Sequence, residues 1–196
     1  EIITTDLEHE ANRSPWLELR EQGFVVKSAP INKEDCTLDY GWLEREINSK
    51  TKIVAVGYAS NAVGTINDVE RVVQLAKEVG AVTVIDAVHY AAHGVIDVQA
   101  LDCDFLLCSA YKFFGPHVGI LYGKRSAFER LRTYKVRPQS PEPPCKFETG
   151  TGNFEGLAGV IGAVDFIASL GDELLTGEHS LRERIVAGYE AIEQYE

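Results

Sequence analysis

Four apolar runs end in residues whose types can do chemistry. Ile2–Thr5 leads into Glu8-His9-Glu10-Ala11-Asn12, and Ile53–Tyr58 into Ser60-Asn61. Val82–Ile85 leads into Asp86 with His89 three residues on, and Phe105–Cys108 into Ser109-Ala110-Tyr111-Lys112. Successive run ends thus deliver an imidazole, an amide, a carboxylate and a primary amine, with hydroxyls alongside. Singly, each has a plain alternative: a carboxylate after a strand often caps a turn, and a lysine is usually a solvated charge. Lys112, however, lies among aromatic residues in Ser-Ala-Tyr-Lys-Phe-Phe-Gly-Pro, where a desolvated amine is suited to forming a Schiff base. Asp86 precedes it by 26 residues, about one crossover unit, so both can serve one crevice. A Schiff-base lysine and an aspartate that keeps a ring nitrogen protonated are what pyridoxal 5'-phosphate requires.

The elements that must position these residues alternate along the chain. Strand-like runs are Ile2–Thr5, Phe24–Ser28, Ile53–Tyr58, Val82–Ile85, Phe105–Cys108 and Val118–Tyr122. Helical patterns cover Pro15–Gln22, Tyr40–Asn48, Val69–Val79, a short turn at Val98–Leu101, and Ser126–Arg132. Such alternation predicts an α/β, three-layer αβα sandwich with a mostly parallel sheet, whose ligands sit beyond the carboxyl ends of the strands. Residues 135–155 read as a polar loop rich in Pro and Gly. Two helices follow. Phe154–Ser169 carries Gly156, Gly159, Gly162 and Ala163 for close packing, and a helix from about Ser180 sets Leu181, Ile185, Tyr189 and Ile192 on one stripe.

Composition narrows the classes. The 196 residues are 45% hydrophobic and 25% charged, which is globular and neither disordered nor low-complexity. Nineteen Lys and Arg against 30 Asp and Glu leave a formal charge of −11, with no basic run, which argues against nucleic acid and anionic membrane as partners. No stretch is expected to span a bilayer; the longest candidate, Gly156 to Ala168, is short, Gly-rich and interrupted by Asp165. Cys36, Cys103, Cys108 and Cys145 match neither a disulfide framework nor a metal-ligand spacing, so no metal site is expected and a reduced, cytoplasmic setting is. The chain lacks methionine and opens as if in mid-fold, and is read as a piece of a longer protein.

The motifs, taken in order, resemble the class V aminotransferase family of fold-type I pyridoxal-phosphate enzymes, in its cysteine desulfurase-like and selenocysteine lyase branch. The matching stretches are Glu8-His9-Glu10-Ala11-Asn12 with Pro15-Trp16, Ser60 to Thr65, Asp86-Ala87-Val88-His89, Asp97 to Phe105, Ser109 to Lys112 with Gly115-Pro116, and Phe147 to Thr151. They extend over nearly the whole chain. The resemblance implies that Lys112 holds the cofactor as an internal aldimine and then moves the substrate's α-proton. It implies that Asp86 pairs with the pyridinium nitrogen and that His9 stacks on the ring and shares in proton transfer. Asn61 would touch the phenolic oxygen or the substrate carboxylate, and His89 would donate to the phenolic oxygen. Ser109 and Tyr111 would meet the phosphate, and Thr151 the phosphate of the other subunit of a homodimer with shared sites. It further implies an amino-acid substrate, C–S lyase chemistry of the cysteine desulfurase kind, and a sulfur-acceptor protein. Residues 1–196 would be the central and C-terminal part of the cofactor-binding large domain, without its N-terminal segment and without the C-terminal small domain.

Departures from the family pattern concern the substrate more than the cofactor. Tyr111 stands where desulfurases usually carry histidine, His89 where the family usually has glutamine, and Lys146 where relatives tend to have arginine. Alternatives within the family are an epimerase, a selenocysteine lyase or another β-lyase; outside it, a catalytically silent dimeric scaffold. A nucleotide-binding domain is disfavoured because no GxGxxG or P-loop pattern follows any strand. His93, His117 and His179 read as turn or surface residues, Tyr122 and Tyr134 as packing, and Cys145 matches no catalytic position.

Overall fold

A computed structural model describes residues 1–196. It divides into two units, Glu1–Cys108 and Ser109–Glu196. In the first, strands β1 (Ile2–Thr5), β2 (Val26–Ala29), β3 (Ile53–Gly57), β4 (Val82–Asp86) and β5 (Phe105–Ser109, whose last residue opens the second unit) lie in the order β2-β1-β3-β4-β5. Every registered pair among them is parallel. Helices α1 (Ser14–Glu18), α2 (Tyr40–Glu46), α3 (Val69–Glu78) and α4 (Val98–Leu101) connect them. This is the parallel α/β pattern that the alternation predicts. All four residues of β1 are buried, which explains why that run carries no alternation of polar and apolar residues.

Helix α3 shows how the sequence sets an element. Asp68 accepts a hydrogen bond from Arg71 N at 3.0 Å, which satisfies a donor that the first turn would leave open. Val69, Val72, Val73 and Ala76 then recur at helical spacing and are the buried residues of the helix. They join Ile3, Leu38, Leu43, Val54, Val56 and Ile85 in the core of the unit. Expected element ends shift by a residue or two: Asp86 and Ser109 are the last residues of their strands, and Leu19–Gln22 continues α1 as a 3-10 turn.

The second unit contains β6 (Gly119–Gly123), α5 (Arg125–Arg130), α6 (Phe154–Asp172) and α7 (Leu181–Tyr195). Helices α6 and α7 pack through glycine, and this corrects the expected stripe. Leu181 is exposed, while Ala187 and Gly188 are the buried residues of α7. A Cβ on Gly188 would strike the Ile167 carbonyl oxygen, and one on Gly171 the Arg184 carbonyl oxygen. The backbones come so close that small residues, and not the larger apolar ones, define the seam. Gly156 and Gly159 abut Val118 and Pro116 as expected of packing glycines, whereas Gly162 faces open space. Arg184 joins Asp172 by two hydrogen bonds of 2.6 Å, and Ser180 with Glu183 forms a capping box at the start of α7.

Two further expectations change. Helix α6 has 19 residues and a mean hydropathy of 1.5 over its most apolar window, which is long and apolar enough, by length and composition, to cross a membrane. Asp165 and the glycines interrupt the apolar run in the sequence, although the helix continues through them. Tyr134 is 92% exposed, with the Arg132 guanidinium 5.7 Å from its ring centre, so it is not a packing residue.

Candidate active site

In the first unit, the residues singled out by sequence stand at the carboxyl ends of β1, β3 and β4. Asp86 ends β4 in register with Gly57, and Tyr58 N donates to the Asp86 carbonyl at 2.8 Å. Asp86 Oδ1 accepts from Val88 N at 2.9 Å, turning the chain toward His89. His89 is half-buried, with its ring 4.9 Å from His93 edge-on. His93 occupies a turn as expected, but it also buttresses a candidate site residue. His9 is exposed, and its Nδ1 accepts from Ala11 N at 3.1 Å, capping the 3-10 turn Glu10–Asn12. That bond commits Nδ1 as an acceptor, so the neutral ring carries its proton on Nε2. Asn61 is exposed at the tip of the turn after β3, beside buried Ser60, whose hydroxyl accepts from Ala62 N at 3.3 Å.

In the second unit, Ser109, Tyr111 and Lys112 share one turn. Ser109 leads into the 3-10 segment Ala110–Phe113 without spending its side chain on a cap. Phe114 closes the segment at φ 68°, and Gly115 N donates to the Ala110 carbonyl at 2.8 Å. A Cβ on Gly115 would lie 2.9 Å from that oxygen, which is why glycine follows here. Lys112 is half-buried, has no carboxylate partner, and holds its Nζ 5.2 Å from the Tyr111 ring centre. His117, read from sequence as a surface residue, is exposed but stacks on Tyr111 at 5.1 Å. Thr151 is exposed in the loop ahead of α6, outside this turn.

Several residues escaped the sequence reading. The Glu8 carboxylate accepts from Thr5 Oγ1 at 2.7 Å, Asn12 Nδ2 at 2.6 Å and Gly57 N at 2.8 Å. Burial pushes its pKa up to about 7 against the lowering effect of those donors, and the negative charge of Asp86 adds to the rise. Tyr58 and Tyr90 stack at 3.8 Å with rings within 6° of parallel. Burial pushes the Tyr58 hydroxyl up to about 12, with Tyr90 adding to it. The only sequence signals were position after a strand and adjacency to His9. Lys146 is 8% exposed and donates to the Leu131 carbonyl at 3.0 Å, capping the end of α5, so it is committed to the fold. Cys108 is half-buried, and burial with the nearby Asp86 charge raises its thiol, as suits a packing residue.

The model of the class-V aminotransferase family matches residues 1–196. The chain belongs to the class-V aminotransferase family. Among relatives of this family member, a cysteine desulfurase of Pectobacterium carotovorum is 36% identical over 186 residues, 88% of this chain and 46% of that protein. A probable cysteine desulfurase of Halalkalibacterium halodurans is also 36% identical, over 93% of this chain and 48% of its own length. Among solved structures, the cysteine desulfurase CsdA of Escherichia coli superposes with a TM-score of 0.80 at 30% identity, over 93% of this chain and 46% of that one. This places the α/β fold with the fold-type I enzymes. The chain spans about half the length of the curated relatives it matches.

Proposed function

We propose that this chain is the cofactor-binding part of a pyridoxal 5'-phosphate enzyme acting on an amino acid, with cleavage of a cysteine-like carbon–sulfur bond as its reaction. The observation that carries the reading is the Lys112 turn: an amine without a carboxylate partner, held half-buried on a braced 3-10 segment. It belongs to a chain 36% identical to proteins named cysteine desulfurase.

The donors present suit the cofactor. Lys112 would offer the amine for its aldehyde, Asp86 a carboxylate for its ring N–H, and the Ser109 and Tyr111 hydroxyls donors for its phosphate. Pyridoxal phosphate supplies, when bound, a protonated ring that draws electrons from the substrate's α-carbon. Lys112 Nζ would anchor the group and, as a free amine, would take the proton from the substrate's α-carbon. Asp86 keeps the ring nitrogen protonated. His9, with Nδ1 accepting from Ala11 N, would face the cofactor ring and would offer Nε2 for proton movement. Asn61 would donate to the phenolic oxygen or the substrate carboxylate, and His89 to the phenolic oxygen. Thr151, exposed ahead of α6, would reach the phosphate held by the other subunit of a homodimer. A sulfur-acceptor protein and a cytoplasmic setting complete the proposal, in keeping with four cysteines whose spacing matches no disulfide framework.

Purification with pyridoxal phosphate tests this. The full protein is expected to hold the cofactor, borohydride reduction to fix it on the Lys112 peptide, and Lys112→Ala to lose it. Cysteine with a thiol reductant should yield sulfide and alanine in equal amounts. A wild-type protein that binds no cofactor overturns the reading. Retained cofactor with racemisation and no sulfide moves it to an epimerase.

A further inference from the structure

Glu8 is a half-buried acid, enclosed at its carboxylate by three donors, that the proposed reaction does not use. Its carboxylate bridges two chain segments 49 residues apart, accepting from Thr5 Oγ1 and Asn12 Nδ2 on one side and from Gly57 N on the other. Thr5 is 1% exposed and Asn12 7% exposed, so water does not substitute for these partners. Gly57 is the register partner of Asp86 on the adjacent strand, about 5 Å away across the parallel ladder. A Cβ on Gly57 would come within 3.3 Å of Glu8 Oε2. Two carboxyl groups therefore flank one glycine at the end of the sheet, and the low dielectric there penalises a second negative charge.

The network accommodates a proton. Thr5 Oγ1 lies 2.7 Å from Glu8 Oε1 and also accepts from Leu7 N at 3.2 Å. A hydroxyl has two lone pairs, so Thr5 can reverse its bond to Glu8 and accept when Glu8 is protonated. Asn12 Nδ2 and Gly57 N keep donating in either state. Among charged groups on the surrounding elements, Asp86 is the one whose charge acts on Glu8 from another strand. On its own segment His9 is engaged with Ala11 N, Glu10 with the Ser14 hydroxyl, and Asp6 with Arg13 and Ser28.

We propose that Glu8 is a positioning residue that acts through Asp86: it holds a proton behind the sheet end, so that the single negative charge of the pair rests on Asp86, where a cofactor ring nitrogen is met. The last clause rests on the proposed pyridoxal phosphate site; the proton-sharing pair does not. Burial, which raises the Glu8 pKa to about 7, supports it.

Site-resolved carbon-13 NMR of the Glu8 carboxyl in the full protein is the test. Wild type should titrate near neutral pH, and Asp86→Asn should move the Glu8 midpoint down by about half a pH unit or more. A Glu8 midpoint at the ordinary carboxylate value, or one indifferent to Asp86→Asn, overturns the proposal. With pyridoxal phosphate bound, Glu8→Gln should displace the pH titration of the cofactor's absorbance, and Glu8→Asp should restore part of it. Superimposable titrations of wild type and Glu8→Gln overturn the action through Asp86. A wild-type protein without bound cofactor defeats the pyridoxal phosphate reading alone, because the NMR titration still decides the pair.

Discussion

At the scale of single residues, burial decides what a charged group does. Glu8 and Glu10 are two glutamates on either side of His9, yet Glu8 is enclosed by three donors and Glu10 is exposed. Nothing in the local sequence separates them, since the Gly57 donor lies 49 residues away. Lys146 is likewise held by carbonyls that the sequence does not reveal. Tyr111 is the opposite case: its identity is legible, and its consequence follows from chemistry. A phenol donates one hydrogen bond to a phosphate but carries no charge. Tyr111→His is expected to tighten pyridoxal phosphate binding about fivefold at low salt, with the gain shrinking as salt rises. A fluorescence titration of cofactor affinity checks this, and an unchanged affinity at all salt concentrations would remove Tyr111 from the phosphate. Thiol reactivity follows burial in the same way. Cys145 should be alkylated well before Cys103 and Cys108 when the modified peptides are followed by mass spectrometry, because it alone of the three is exposed.

At the scale of elements, close backbone approach governs α6 and α7. Gly→Ala in a helix interior ordinarily stabilises by about 1 kcal/mol. At Gly188 and Gly171 the added methyl would meet a carbonyl oxygen of the facing helix, and the overlap outweighs that gain. Each substitution is expected to cost about 1–3 kcal/mol in denaturant unfolding. A stabilised Gly188→Ala protein would show that the helices do not touch there. Ile161 is 64% exposed on α6, and Ile161→Lys is expected to change folding stability by no more than about 0.5 kcal/mol. The turn carrying Lys112 has its own constraint, since Gly115 stands against the Ala110 carbonyl.

At the scale of the whole molecule, stability against pH combines acids shifted in opposite directions. Glu1, Asp35, Asp172 and Glu183 are held below the ordinary carboxylate value, chiefly by hydrogen bonds from Lys27, Thr37, Arg184 and Ser180 respectively. Their stabilisation is present above the unfolded carboxylate value and is lost as pH falls through their folded values. Glu8 has the opposite sign. Its folded pKa of about 7 lies above its unfolded one, so its contribution is complete in acid and is lost as pH rises through about 7. The melting temperature is therefore expected to peak on the acid side of neutrality, and Glu8→Gln to flatten the fall between about pH 5 and 8. Calorimetric scans across that range measure it; an unchanged slope in Glu8→Gln would contradict the sign assigned to Glu8.

Much of this protein is local, and local features were legible. Alternation of strand and helix and the chemical residues at four strand ends depend on neighbours within a few positions. What required the tertiary structure depends on partners far along the chain. The glycine seam of α6 and α7 replaced the Leu181 stripe because backbone proximity, unlike hydrophobicity, has no signature in one helix alone. The engagement of Lys146 with the end of α5 and the stacking of Tyr58 on Tyr90 have the same origin. Sequence by itself determined which functional groups stand at the strand ends. Tertiary structure decided which of them are desolvated, and thus that Glu8, Asp86 and Gly57 meet at one sheet end, because burial and charge proximity arise only when distant segments pack.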